Sequence, residues 1–243
     1  MVSLFSLKEP RLPKDYSPVF VSFVKKVLST KAPELYKELY CSGTTMKKMT
    51  FSLKLNNPDF SGDDVKLGGT DVMMSVSSED APFSIDLYNS IITLRGLEFP
   101  LPSGNSMKVK SVRIENSRRI ESESVLVRFL SPLVLRKHSA GLRDRYYVYD
   151  DEEFSDVLFD VVSNELANLC GIEISRTSLS LVPVSPRKTV SRIFGRAIRC
   201  SLGVYRLEGD RAVLNSLYQN GIGSRRSQGC GMFEIVGEVK DER

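Results

Sequence analysis

One element order appears twice along this chain, and nothing else in it constrains the fold as strongly. In the first pass Val2–Leu7 reads as a strand. Residues 16–28 then place Val19, Phe20, Phe23, Val24, Val27 and Leu28 at helical spacing. Pro33 opens a second helical piece through Tyr40, since proline suits a first helical turn, and Gly43 stops it. Residues 49–55 and Asp71–Ser77 read as strands. Residues 82–94 read as a helix weakened by β-branched side chains, and 107–115 as an alternating strand. Residues 116–124 are polar and charged, a linker. The order then returns, with 125–130 as a strand and 132–136 as a short extended piece. Residues 152–169 form the clearest helix, its apolar face made by Phe154, Val157, Leu158, Val161, Val162, Leu166 and Leu169. Residues 178–184 read as a strand, 190–205 as one long extended segment bent at Gly195, 211–218 as a helix and 233–239 as the last strand. Each half is thus β-α-β-β-α-β, the split βαβ pattern, and the expected fold is α+β: two tandem ferredoxin-like domains over 1–118 and 123–243. The halves share order without visible sequence similarity, so the repeat is one of topology.

The last helix and last strand are joined by Gly221-Ile222-Gly223-Ser224-Arg225-Arg226-Ser227-Gln228-Gly229-Cys230-Gly231. Glycines accept positive φ and can expose successive N–H groups, and such runs make anion-binding concavities; two arginines sit in the middle. A phosphate-binding P-loop is excluded, because the chain has no Gly-Lys pair. A dinucleotide fingerprint is excluded too, since Arg226 stands where a third glycine is needed and a strand follows. Spacing alone leaves a plain glycine-rich turn with solvated arginines equally open.

Net charge is only +4, but it is unevenly spread. Between 110 and 145 nine basic residues face four acids, and between 187 and 199 Arg187, Lys188, Arg192, Arg196 and Arg199 meet no acid, whereas 150–160 is acidic. Such segregation is the electrostatic footprint of a polyanion-binding face. Four scattered cysteines and a single histidine, His138, argue against a zinc site or a disulfide framework, so buried free thiols and no metal or other cofactor are expected. There is no apolar run approaching ~20 residues and no signal-peptide pattern, so no membrane partner and a cytoplasmic location are expected. With no tryptophan, any base stacking would fall to Tyr or Phe.

Three stretches together resemble the CRISPR-associated endoribonucleases of the RAMP superfamily, which cut precursor CRISPR RNA within its repeats. One is the glycine-rich loop 221–231. The second is Phe129-Leu130-Ser131-Pro132-Leu133-Val134-Leu135-Arg136, similar to the Ser-Pro strand opening the family's second half. The third is Pro33-Glu34-Leu35-Tyr36-Lys37-Glu38-Leu39-Tyr40 followed by Lys47-Lys48-Met49-Thr50-Phe51-Ser52. The resemblance implies a tandem ferredoxin-like fold and metal-independent cleavage. In that reaction the ribose 2′-OH attacks the adjacent phosphate, giving a 2′,3′-cyclic phosphate and a 5′-OH. It also implies that Lys47 matches the family's catalytic lysine and that Tyr40 stands where many relatives carry a histidine, with Lys48, Arg187, Lys188, Arg192, Arg196, Gly223, Ser224, Arg225 and Arg226 on the RNA. Lys188, Arg192 and Arg196 are expected to alternate along one side of an extended segment. A free tyrosine has pKa ~10 and is a poor base near neutrality unless a cation lowers that value. His138 reads as a phosphate contact or general base, or else as an exposed loop histidine. The partners implied are CRISPR repeat RNA and its precursor, together with subunits of a CRISPR effector complex or a second copy of the chain, since relatives occur as monomers and dimers. A non-catalytic relative that holds the repeat RNA in an effector complex is the alternative reading.

Overall fold

A computed structural model describes residues 1–43, 46–138 and 144–238. In chain order the elements of the first half are β1 (Val2–Leu7), β2 (Arg11–Pro13), α1 (Ser17–Lys31), α2 (Pro33–Tyr40), β3 (Thr50–Leu55), β4 (Asp64–Lys66), β5 (Asp71–Ser77), α3 (Ala81–Thr93), β6 (Glu98–Pro100) and β7 (Ser106–Arg113). The second half follows with β8 (Ser124–Leu133), β9 (Leu135–Lys137), β10 (Arg145–Tyr147), α4 (Phe154–Cys170), β11 (Leu179–Ile193), β12 (Arg196–Gly209), α5 (Arg211–Asn220) and β13 (Phe233–Glu238). Contacts group the chain into two units. One holds 1–45, 52–116 and 192–196; the other holds 46–51, 117–191 and 197–243.

In the first unit the sheet order is β3-β5-β1-β7-β6, with β1 antiparallel to β5 and β7. Without the short edge strand β6, the four strands of the β-α-β-β-α-β unit stand in the order second, third, first, fourth, which is the ferredoxin-like topology. Burial alternates along β5, so one face of the strand carries the core. Phe5 of β1 is fully buried and meets the rings of Phe20 and Phe23 from α1 edge-on at 5.7 and 5.0 Å. Such pairs add ~0.5–1.5 kcal/mol beyond area burial. Asp80 starts α3 by accepting from the Phe83 amide at 2.9 Å, which satisfies one of the helix's orphan donors.

The second unit repeats the topology: β11-β12-β8-β13, with β8 antiparallel to β12 and β13. Val125, Val127 and Phe129 of β8, Tyr205 and Leu207 of β12 and Phe233 of β13 form one core with Phe154, Val157, Leu158, Val162 and Leu166 of α4 and Val213, Leu214 and Leu217 of α5. Both halves are therefore ferredoxin-like, as the repeated order predicts.

Two features depart from the sequence reading. Residues 190–205 are not one bent strand but two strands joined by a tight turn. β11 ends at Ile193, and β12 returns from Arg196 as its neighbour in the sheet. Phe194 and Gly195 both have positive φ, 51° and 76°, the requirement of a two-residue type I′ hairpin turn, and Asp15 accepts hydrogen bonds from both of their amides. A second small hairpin, β9 with β10, is inserted between β8 and α4 and pairs Arg136 with Tyr146 and Lys137 with Arg145.

Candidate functional site

The glycine-rich loop of the second unit is a docked structure, and most of its amides point inward. The amides of Ile222, Ser224 and Gly231 donate to Gly231, Val134 and Pro132 carbonyls, and those of Gln228 and Gly229 close a tight turn onto Arg225 and Arg226. The Met232 amide donates to the Ser131 hydroxyl at 2.9 Å. The Ser-Pro strand is thus the rail on which the loop lies. Glycine is required where the backbone meets that rail: at Gly223, φ +87°, a Cβ would sit 2.7 Å from the Val134 carbonyl oxygen, and at Gly231, φ +74°, it would sit 2.0 Å from that of Ile222. This corrects the expectation of an open amide cradle for an anion; Gly223 is buried, and the Ser224 amide is engaged.

The two loop arginines have opposite fates. Arg226 is buried, its side chain only 6% exposed. Its Nε lies 3.2 Å from Glu165 Oε1 on α4, and its Nη1 donates to the Asn220 carbonyl at 2.9 Å. It fastens the loop, which corrects its expected place on the RNA. Burial pushes the Glu165 carboxyl up to about 7 against the opposing pull of Arg226. Arg225 has positive φ (63°) and is half-buried; it donates to Gln228 Oε1 at 2.8 Å and to the Tyr146 hydroxyl of β10 at 2.9 Å.

Residues 46–51 join this unit. Thr50 donates its hydroxyl to the Cys230 carbonyl at 2.8 Å, and the Phe51 ring lies so close to Gly229 that a Cβ there would be 2.8 Å from Cε2. Lys47 and Lys48, both half-buried, therefore lead directly into a segment anchored on the glycine-rich loop.

On the long hairpin, Arg187, Lys188, Arg192 and Arg196 are all exposed. Lys188 is ion-paired with Asp150, and Arg199 reaches Asp151 at 3.4 Å. The turn corrects one more expectation. In a two-residue turn Ile193 and Arg196 flank the bend and face the same way, so Arg196 lies on the opposite side from Arg192. His138 follows β9 directly, with Nδ1 2.8 Å from Asp144 Oδ1. It is exposed, but it has a carboxylate partner.

Tyr40 belongs to the first unit, at the end of α2. Its ring stands 5.5 Å from that of Tyr36, one turn earlier, and Lys25 Nζ of α1 lies 4.9 Å from its centroid. Burial, reinforced by Tyr36, pushes the phenol up to about 12. The nearby ammonium therefore does not make Tyr40 a base at neutral pH. Among the described residues no group of three or more His, Cys, Asp or Glu is placed to hold a metal ion, and no helix is long and apolar enough to cross a membrane. Cys200 and Cys230 are buried thiols as expected, while Cys41 is exposed.

Both units are ferredoxin-like, and the second is completed by a glycine-rich loop laid along a Ser-Pro strand. The chain belongs to the Cas6 family: the family described as CRISPR associated protein Cas6, C-terminal, matches residues 114–235. Among solved structures, that of a Cas6-related gene product from Pyrococcus furiosus is similar over 100% of this chain and 99% of its own (TM-score 0.83, 20% identity). One described as an RAMP protein binding different RNA substrates is similar over 97% and 100% (TM-score 0.81, 20% identity). A Cas6 product complex is similar over 97% and 99% (TM-score 0.72, 15% identity). No curated protein matches the chain by sequence.

Proposed function

We propose that this protein binds CRISPR repeat RNA and cleaves precursor CRISPR RNA without a metal. The observation that carries the proposal is the anchoring of the Lys47–Lys48 segment on the family's glycine-rich loop through Thr50 and Phe51. A solved relative described as an RAMP protein binding different RNA substrates, and another described as a Cas6 product complex, support the choice of RNA as partner.

In the proposed step the 2′-oxygen forms a bond to phosphorus as the bond from phosphorus to the 5′-oxygen breaks. The 2′-hydroxyl proton passes to water, and the 5′-oxygen takes up a proton. Lys47 offsets the charge that accumulates on the phosphoryl oxygens, charge that develops fully only in the transition state. Tyr40, kept neutral by burial, is suited to donate a proton or hydrogen bond to the leaving oxygen rather than to remove one. Arg225, Lys48 and the exposed arginines of the long hairpin, Arg187, Arg192 and Arg196, contact phosphates; Lys188 joins them by exchanging Asp150 for a phosphate.

The test is cleavage of end-labelled repeat RNA by wild type, Lys47→Ala and Tyr40→Phe. The proposal expects losses of roughly a hundredfold for each variant, in the range of single acid–base or electrostatic groups. Unimpaired cleavage by both variants would overturn the assigned roles, and tight binding without any cleavage by wild type would make the protein an RNA-holding relative.

A further inference from the structure

One titratable cluster has no part in that chemistry. His138 has 74% of its side chain exposed, yet its ring is held by a carboxylate that is itself mostly buried. Nδ1 lies 2.8 Å from Asp144 Oδ1, and Asp144 is 12% exposed. The other carboxylate oxygen accepts from Arg136 Nη1 at 3.1 Å. The His138 hydrogen bond, and after it Arg136, hold the Asp144 carboxyl below the usual carboxylate range despite some desolvation. An ionised carboxylate is acceptor only, so Nδ1 must be the donor and Nε2 is left as the outer nitrogen.

The surroundings favour an anion at that outer nitrogen. In the register of the small hairpin Lys137 stands opposite Arg145, and Arg136 opposite Tyr146. The Tyr146 hydroxyl accepts from Arg225 of the glycine-rich loop at 2.9 Å, which ties this hairpin to the loop. Among the described residues, the charged groups of the hairpin besides His138 are thus Arg136, Lys137, Asp144 and Arg145. The helix packed against it contributes Glu153 from the cap of α4, 3.5 Å from Arg145, and the loop contributes Arg225. Cations predominate, and both named carboxylates are already bonded to cations.

We propose that His138, oriented by Asp144, is a phosphate contact of the RNA-binding surface, its imidazolium Nε2–H donating to a backbone phosphate, so that affinity for RNA rises as pH falls. This rests on the RNA-binding function proposed above and adds a site to it.

Because His138 is the chain's only histidine, its Cε1 proton gives a single NMR signal that needs no assignment. That signal is titrated on the whole chain, free and with a 2′-deoxy repeat RNA that cannot react by 2′-OH attack. The pKa read from it should rise on RNA binding by roughly 0.5–1 unit, which by linkage means about three- to tenfold tighter binding at low than at high pH. His138→Gln should remove that part of the pH dependence, and His138→Lys should keep the tighter binding at both ends of the range. An unchanged or lowered pKa on RNA binding, or a His138→Gln profile equal to wild type, overturns this inference alone. Absence of RNA binding at every pH overturns the proposed function and this site with it.

Discussion

Tyr40 and Arg226 show how a side chain's surroundings decide its chemistry. A tyrosine beside a lysine invites the idea of a lowered pKa, but desolvation dominates and the phenol is raised to about 12. Cleavage by wild type should therefore show no inflection from Tyr40 between about pH 6 and 9, and Tyr40→Phe should lower the rate while leaving RNA affinity within about twofold. A pH–rate step that disappears in Tyr40→Phe would contradict this. The buried pair of Glu165 and Arg226 gives a stability prediction. Glu165 is raised from its usual value to about 7, so between about pH 4.5 and 7 the folded protein holds a proton that the unfolded chain has released. Stability from this group is highest below that window and falls as pH rises through it. Thermal unfolding of wild type and Glu165→Gln at pH 5 and pH 8 should show the variant gaining on wild type as pH rises. The opposite trend would mean that Arg226, and not burial, governs the carboxyl. Neither outcome for Arg226 was legible from its own neighbourhood in sequence, because its partner lies 61 residues away on another helix.

At the level of elements, the chain was readable where local chemistry is strong. α2 begins at Pro33 and ends at Tyr40, as the proline and the following glycine predict, and β1 and β5 have the bounds read for them as strands, Val2–Leu7 and Asp71–Ser77. The long hairpin was missed because its turn is Phe194-Gly195 rather than the Asn-Gly or Asp-Gly that signals a type I′ bend. Phe194 holds φ at 51° and is half-exposed, so it bears the left-handed cost with little burial in return. Phe194→Asn should raise the melting temperature by about 2–4 °C, corresponding to about 1 kcal/mol for a domain of this size; a loss of stability would show that the Phe194 ring matters more than its backbone. The glycine-rich loop was recognised in sequence, but its role was not. Glycines that could have exposed amides instead let the backbone lie against the Ser-Pro strand. Gly223→Ala, which strains a positive φ and presses on the Val134 carbonyl, should destabilise the protein by about 1–3 kcal/mol in denaturant unfolding and weaken RNA binding in parallel. A neutral effect on stability would mean the loop can shift off its rail.

On the scale of the whole molecule, the repeated β-α-β-β-α-β order was enough to predict two sheets of the same topology, because that order leaves few antiparallel arrangements. The grouping of residues 46–51 with the second unit was invisible in the order of elements, since it depends on Thr50 and Phe51 meeting the glycine-rich loop some 180 residues later. That contact puts Lys47 at the head of an anchored segment. The most direct measurement is cleavage of end-labelled repeat RNA in excess EDTA, with and without a single 2′-deoxy substitution at the nucleotide preceding the cut. Cleavage should persist in EDTA, leave a 2′,3′-cyclic phosphate and stop at the deoxy site. Cleavage that needs a divalent metal, or that proceeds through the deoxy position, would contradict the proposed reaction.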